Sequence, residues 1–122
     1  MTTTKKQQNI ENDVAKATLS TYRQSPRKVR LVVDAIRGKK VENALTILRF
    51  ADKRAALPIQ KLVESALANA KNKGMNEEGL IVSKIAVDAG AILYRRRARA
   101  RGSAAPIRKR TSHITVELAT KN

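Results

Sequence analysis

The sequence predicts an α+β body from which a basic β-arm projects. Three observations carry that expectation. Apolar residues recur at helical spacing in three successive segments between Pro26 and Ala70. Strand-like alternation lies before them, at Ala15 to Arg23, and after them, at Leu80 to Val87 and Thr111 to Leu118. Between the last two strands, the seventeen positions from Tyr94 to Arg110 hold eight basic residues and no acid.

The first strand is the weakest of these, with Ala17, Leu19 and Thr21 alternating against Thr18, Ser20 and Tyr22. A helix start follows. Ser25 suits the N-cap and Pro26 the first helical position, where a missing N–H costs nothing. Val29, Val32, Val33 and Ile36 then make one apolar stripe, and Gly38 supplies a left-handed stop. Val41, Ala44, Leu45 and Leu48 form the second stripe. Asp52 is expected to cap the third helix, whose stripe runs through Ile59, Leu62, Val63, Ala66, Leu67 and Ala70 to a stop near Gly74. Pro58 is anomalous there, because an interior proline loses a ladder bond at a cost of about 3 kcal/mol. The helix is expected to start late, near Ala56, or to kink.

In the second strand Ile81, Ser83, Ile85 and Val87 are expected to share one face. In the last, Ile114, Val116 and Leu118 point inward and His113, Thr115 and Glu117 outward. The 23 residues from Asp88 to Arg110 are too many for a structureless loop in a small domain. If both strands continue, they form a hairpin arm projecting roughly 30 Å, with Gly102 near its turn.

The arm holds eight cations of a net charge of +16 over 122 residues, and no Asp or Glu occurs from Ala89 to Val116. Such a density repels itself unless a polyanion neutralises it, and nucleic acid is the commonest candidate. Seven of the eight are arginine, whose planar fork bonds phosphate at two points. Tyr22, Phe50 and Tyr94 are the only aromatics, so recognition by base stacking is disfavoured and recognition of folded shape and phosphate positions favoured. On the first helix and just after it, Arg27, Lys28, Arg30, Arg37, Lys39 and Lys40 are further candidate phosphate contacts, with Ser25 at the helix start.

Other chemistries find little support. The chain has no cysteine, which removes disulfides, thiolate nucleophiles and zinc–cysteine sites. His113 is the lone histidine, the five glycines make no phosphate-binding loop, and the ten carboxylates lack metal-ligand spacing. No catalytic activity, cofactor or metal is expected. No apolar run approaches the ~20 residues of a membrane-crossing helix. Residues 1–14 are polar and are expected to form a flexible N-terminal extension rather than a secretory signal, leaving 15–122 as one domain with its arm at 88–113.

The stretch Ser25-Pro-Arg-Lys-Val-Arg-Leu-Val-Val-Asp-Ala-Ile-Arg-Gly-Lys-Lys40 resembles the opening helix of the universal large-subunit ribosomal protein family numbered twenty-two. Glu64-Ser-Ala-Leu-Ala-Asn-Ala70 and Lys109-Arg-Thr-Ser-His-Ile-Thr-Val116 resemble it too, in order and at family spacing, so the likeness covers about residues 17 to 118. The resemblance implies three helices packed on a small three-stranded antiparallel sheet with a long protruding hairpin. It also implies a cytoplasmic, ribosomal protein that binds 23S-type ribosomal RNA, acts early in subunit assembly, and sits beside ribosomal protein L-four and the nascent polypeptide at the exit-tunnel constriction. No membrane and no obligate homo-oligomer are implied.

Carried onto this chain, Arg97, Ala98, Arg99, Ala100, Arg101 and Gly102 correspond to the tunnel tip. Arg95, Arg96, Arg97, Arg99, Arg101, Arg108, Lys109, Arg110 and His113 join the helix cations as expected RNA contacts. Two positions depart from the family: Ala98 stands where proline is frequent, and Ser103 where a basic residue is frequent. The rival from another class is an architectural, histone-like DNA-bending protein, with Pro106 as a wedge.

Overall fold

The structure, a computed structural model, describes residues 14–102 and 104–120. The expected N-terminal extension therefore lies outside the described residues, apart from Val14, which opens strand β1 (Val14–Tyr22). Three helices follow, α1 (Pro26–Ile36), α2 (Val41–Phe50) and α3 (Ala56–Asn72). Then come β2 (Leu80–Ala89), β3 (Leu93–Ala98), β4 (Ala104–Lys109) and β5 (Ser112–Thr120). The antiparallel sheet has the order β1-β5-β2, and β3 pairs with β4 in a sheet of their own.

The helices cover one face of the three-stranded sheet. α1 packs on β2, α3 packs on β1, and α2 lies against both helices. The expected stripes are the buried ones, Val29, Val32, Val33 and Ile36 on α1, then Ile59, Leu62, Val63, Ala66 and Ala70 on α3, except that Leu67 is only partly buried. They meet Ile114, Val116 and Leu118 of β5 in one hydrophobic cluster. Each fully buried Val, Ile or Leu contributes about 1.5–3 kcal/mol, and with so few aromatics the aliphatic side chains supply nearly all of it.

Two expected caps are replaced by backbone. The Ser25 hydroxyl makes no capping bond; its carbonyl takes the Lys28 and Val29 N–H groups at 3.2 Å each, and Pro26 has no N–H to satisfy. Asp52 does not cap α3 either. A turn at 53–55 intervenes, in which Ala56 N–H donates to Lys53 O at 3.1 Å, so Asp52 ends too far from the helix start. Pro58 is the third residue of α3, where no intrahelical partner for an N–H exists, and the helix needs no kink. At the other end Gly74 adopts φ +76°, and Gly74 N–H and Met75 N–H donate to Lys71 O and Ala70 O at 3.0 Å each. That paired bonding requires the left-handed residue glycine supplies.

β2 departs from the expected alternation. Leu80 and Val82 are buried, then Ile85 and Val87, whereas Ile81 and Ser83 are not. The pairing passes from Val82↔Leu118 to Lys84↔Glu117, leaving Ser83 as an extra residue. A one-residue slip turns all preceding side chains to the opposite face, which is why a strict period of two misassigned Ile81.

Both outer edges of this sheet are partly covered by the helices and the α1–α2 connection. On β2, Gly38 N–H donates to Val82 O at 3.0 Å and Val82 N–H to Lys39 O at 2.9 Å. Beyond the bulge, Arg37 Nη1 donates to Ile85 O at 2.7 Å and Arg30 Nη2 to Val87 O at 3.0 Å. On β1, Asn69 Nδ2 and Lys73 Nζ from α3 donate to Lys16 O and Val14 O at 2.9 and 2.8 Å. Edge carbonyls that would otherwise template another strand are thereby occupied.

The arm prolongs β2 and β5 as expected, with a break at 90–92 and 110–111 across which the register slips by one residue. Asp88 and Ala89 remain in β2, while Ser112 and His113 belong to β5, so the arm runs over residues 90–111. Thr111 is buried at its root, donating Oγ1–H to Ala91 O at 2.6 Å, and Gly90 N–H donates to Thr111 O at 2.9 Å. Six paired residues per strand span about 20 Å, and the root and tip residues on either side of this ladder add to the arm's reach.

Candidate nucleic-acid interface

On the arm, β3 and β4 pair from Leu93↔Lys109 to Ala98↔Ala104. The register keeps cations apart: Arg95 faces Ile107, Arg96 faces Pro106, Arg97 faces Ala105, Arg108 faces Tyr94 and Lys109 faces Leu93. Like charges directly opposite each other destabilise a ladder, and this pairing contains none. Because strand side chains alternate, Arg95, Arg97 and Lys109 share one face while Arg96 and Arg108 share the other. Both faces are cationic, and all five side chains are exposed.

The tip turns through Ala100–Gly102, with Arg101 at φ 65°, ψ 30° and Gly102 at φ 71°. Arg99 and Arg101 are exposed there. Ser103 lies outside the described residues.

At the other end, the arm's return strand meets the start of α1. Arg23, Gln24, Ser25, Lys28, Arg54, Arg108, Lys109 and Arg110 line an open cleft of about 550 Å³. An adjoining hollow of about 460 Å³ is lined by Ser25, Pro26, Arg27, Arg30, Ala89 and Arg110. Neither lining contains an acid. Here the fold unites Ser25, Arg27 and Lys28 with Arg108, Lys109 and Arg110, which stand about eighty positions apart in the chain. Sequence reasoning missed Arg23 and Arg54. Each is an isolated arginine in a connecting segment, and only the packing of α3 beside the β1–α1 connection reveals their convergence.

Other expected contacts are placed differently. Arg30 and Arg37 spend donors on β2 carbonyls, and Arg37 also meets Asp34 Oδ1 at 3.2 Å. Lys40 bridges to Ile81, so the Lys39–Lys40 pair sits about 25 Å from the arm root along β2. His113 is half-buried, and its Nδ1 accepts the Thr21 N–H at 2.9 Å.

The ribosomal protein L22p/L17e family model matches residues 17–119. This chain belongs to that family. A relative named large ribosomal subunit protein uL22, from Geobacter metallireducens (strain ATCC 53774 / DSM 7210 / GS-15), is 53% identical over 108 residues, covering 88% of this chain and 98% of its own length. Membership makes the chain a ribosomal protein, with the cytoplasmic ribosome as its place of work, and sets aside the DNA-bending alternative. For an L22p/L17e protein, a three-helix body on a β1-β5-β2 sheet with a separate cationic hairpin is the arrangement that must be accounted for.

Proposed function

We propose that this chain is a structural, non-catalytic component of the large subunit, binding and organising 23S-type ribosomal RNA. The observation that carries the reading is the arm's two-faced charge. A cationic strip that binds along one surface needs arginines on one side only, whereas this ladder exposes them on both. RNA backbone on either side neutralises the two sets, and the released counterions drive association. Phosphate contacts of this kind hold RNA segments in register and carry no base sequence.

In this reading Arg95, Arg96, Arg97, Arg99, Arg101, Arg108, Lys109 and Arg110 contact phosphates, joined by Ser25, Arg27 and Lys28 at the arm base. The segment from Arg97 to Gly102 lies at the exit-tunnel wall, near ribosomal protein L-four and the nascent polypeptide. A role in early assembly follows, because a cationic arm gains most from RNA that has not yet closed around it. Arg30, Arg37, Lys39, Lys40 and His113 stand as subsidiary contacts, since each also serves the fold. The test is binding to protein-free large-subunit ribosomal RNA across a salt series. The arm triple variant Arg95→Ala, Arg96→Ala, Arg97→Ala is expected to bind more weakly with a shallower salt slope, and an unchanged slope contradicts the reading.

A further inference from the structure

The six cations of the arm-base cleft come from two sides of a joint. Arg23, Lys28 and Arg54 belong to the body, while Arg108, Lys109 and Arg110 belong to the arm. Among the described residues, none of these six side chains has an ion-pair or hydrogen-bond partner. Across the same joint the β2–β5 ladder ends at Ala89↔Ser112 and the arm ladder starts at Leu93↔Lys109, with the Gly90–Thr111 and Thr111–Ala91 bonds between them. The arm's angle to the body therefore rests on the short root at Gly90, Ala91 and Thr111 and on whatever fills the cleft.

We propose that this cleft is a composite site for an RNA sugar–phosphate backbone, and that filling it sets the arm's angle. Empty, it holds like charges facing one another, and their repulsion spreads body and arm apart. A run of phosphates between them bonds both sides at once, turning repulsion into a bridge. A run of successive phosphates suits the cleft better than a single anion, because the cations are spread over three chain segments around about 550 Å³. Its lining of charged and polar side chains offers no apolar pocket for a peptide anchor. Arg23 and Arg54 are thus phosphate contacts, distinct from the arginines of the arm ladder. This inference rests on the RNA-binding reading above.

The chain has no native cysteine, so Asn43→Cys on α2 and Ala104→Cys on β4 accept spin labels at unique, exposed positions. The distance between them is measured in the full chain, free and with a protein-free large-subunit ribosomal RNA transcript. RNA is expected to narrow a broad distribution. In the Arg23→Ala, Arg54→Ala background the distribution stays broad, affinity falls about tenfold and the salt slope drops by about two. The Arg95→Ala, Arg96→Ala, Arg97→Ala background binds less tightly yet still narrows. A free chain that is already narrow overturns the inference, as does an Arg23→Ala, Arg54→Ala chain that narrows and binds like the parent. If neither set of substitutions weakens binding, the RNA reading itself fails.

Discussion

The backbone N–H of Thr21 donates to Nδ1 of His113, 92 positions away, at 2.9 Å. Thr21 has φ 56°, a left-handed conformation that a β-branched residue rarely adopts, and it sits where the β1–β5 register shifts between Leu19 and Tyr22. An acceptor Nδ1 requires the proton on Nε2, which points towards Gly90 at the arm root. The lone histidine thus ties the bulge of β1 to the place where the arm leaves the sheet.

Substitutions at these two residues have opposite consequences. His113→Ala gives the exposed Thr21 N–H over to water and is expected to cost about 0.5–1 kcal/mol. Thr21→Asn keeps the donor and relieves the left-handed strain, and is expected to gain about 1 kcal/mol. Urea denaturation of both variants checks the pair.

Gly90 has no room for a side chain. A Cβ there would lie 2.5 Å from Thr111 Oγ1 and 2.9 Å from His113 Nε2. Gly90→Ala is expected to cost about 1–3 kcal/mol, because buried Thr111 must give up its bond to Ala91 O to make space. Thermal melting measures the loss, and faster amide exchange at residues 111–113 locates it.

Arg30→Met and Arg37→Met together uncover the Ile85 and Val87 carbonyls on the edge of β2. Each lost bond is expected to cost about 1 kcal/mol, less for half-exposed Arg37 than for an enclosed group. Concentration-dependent association by light scattering is the second readout, since an opened edge recruits other strands.

The arm triple variant Arg95→Ala, Arg96→Ala, Arg97→Ala is expected to leave the melting temperature of the body unchanged. All three side chains are exposed and outside the core cluster, and such substitutions shift stability by about 0.5 kcal/mol or less. Unfolding of the body in this variant contradicts the separation of arm from body.

Much of this architecture is legible in the sequence. The stripe of α1 matches its buried residues, and that of α3 does so apart from half-buried Leu67, because a helix packed on one side reports its period directly. Ile114, Val116 and Leu118 do the same for β5. Ser83 defeats the reading of β2, since a bulge adds a residue without any compositional mark. Ser25 misleads as a cap because its carbonyl, not its hydroxyl, takes the Lys28 N–H, and Asp52 because a turn separates it from the start of α3. The arm's charge was plain, but its register was not: only the pairing reveals that each cation on the ladder faces an uncharged residue. Arg23 and Arg54 carry no local signal, because their meaning comes from segments that meet in three dimensions.

In the proposed function, RNA backbone encloses both faces of the arm. Ala98 and Ala105 lie on opposite faces of the ladder, as the pairing of Ala98 with Ala104 and of Arg97 with Ala105 requires. Ala98→Cys and Ala105→Cys, each tethered to a hydroxyl-radical source and assembled into intact large subunits, probe those faces separately. Strand cleavage of large-subunit ribosomal RNA from both positions is the expected result. Cleavage from one position alone, or from neither, contradicts the account.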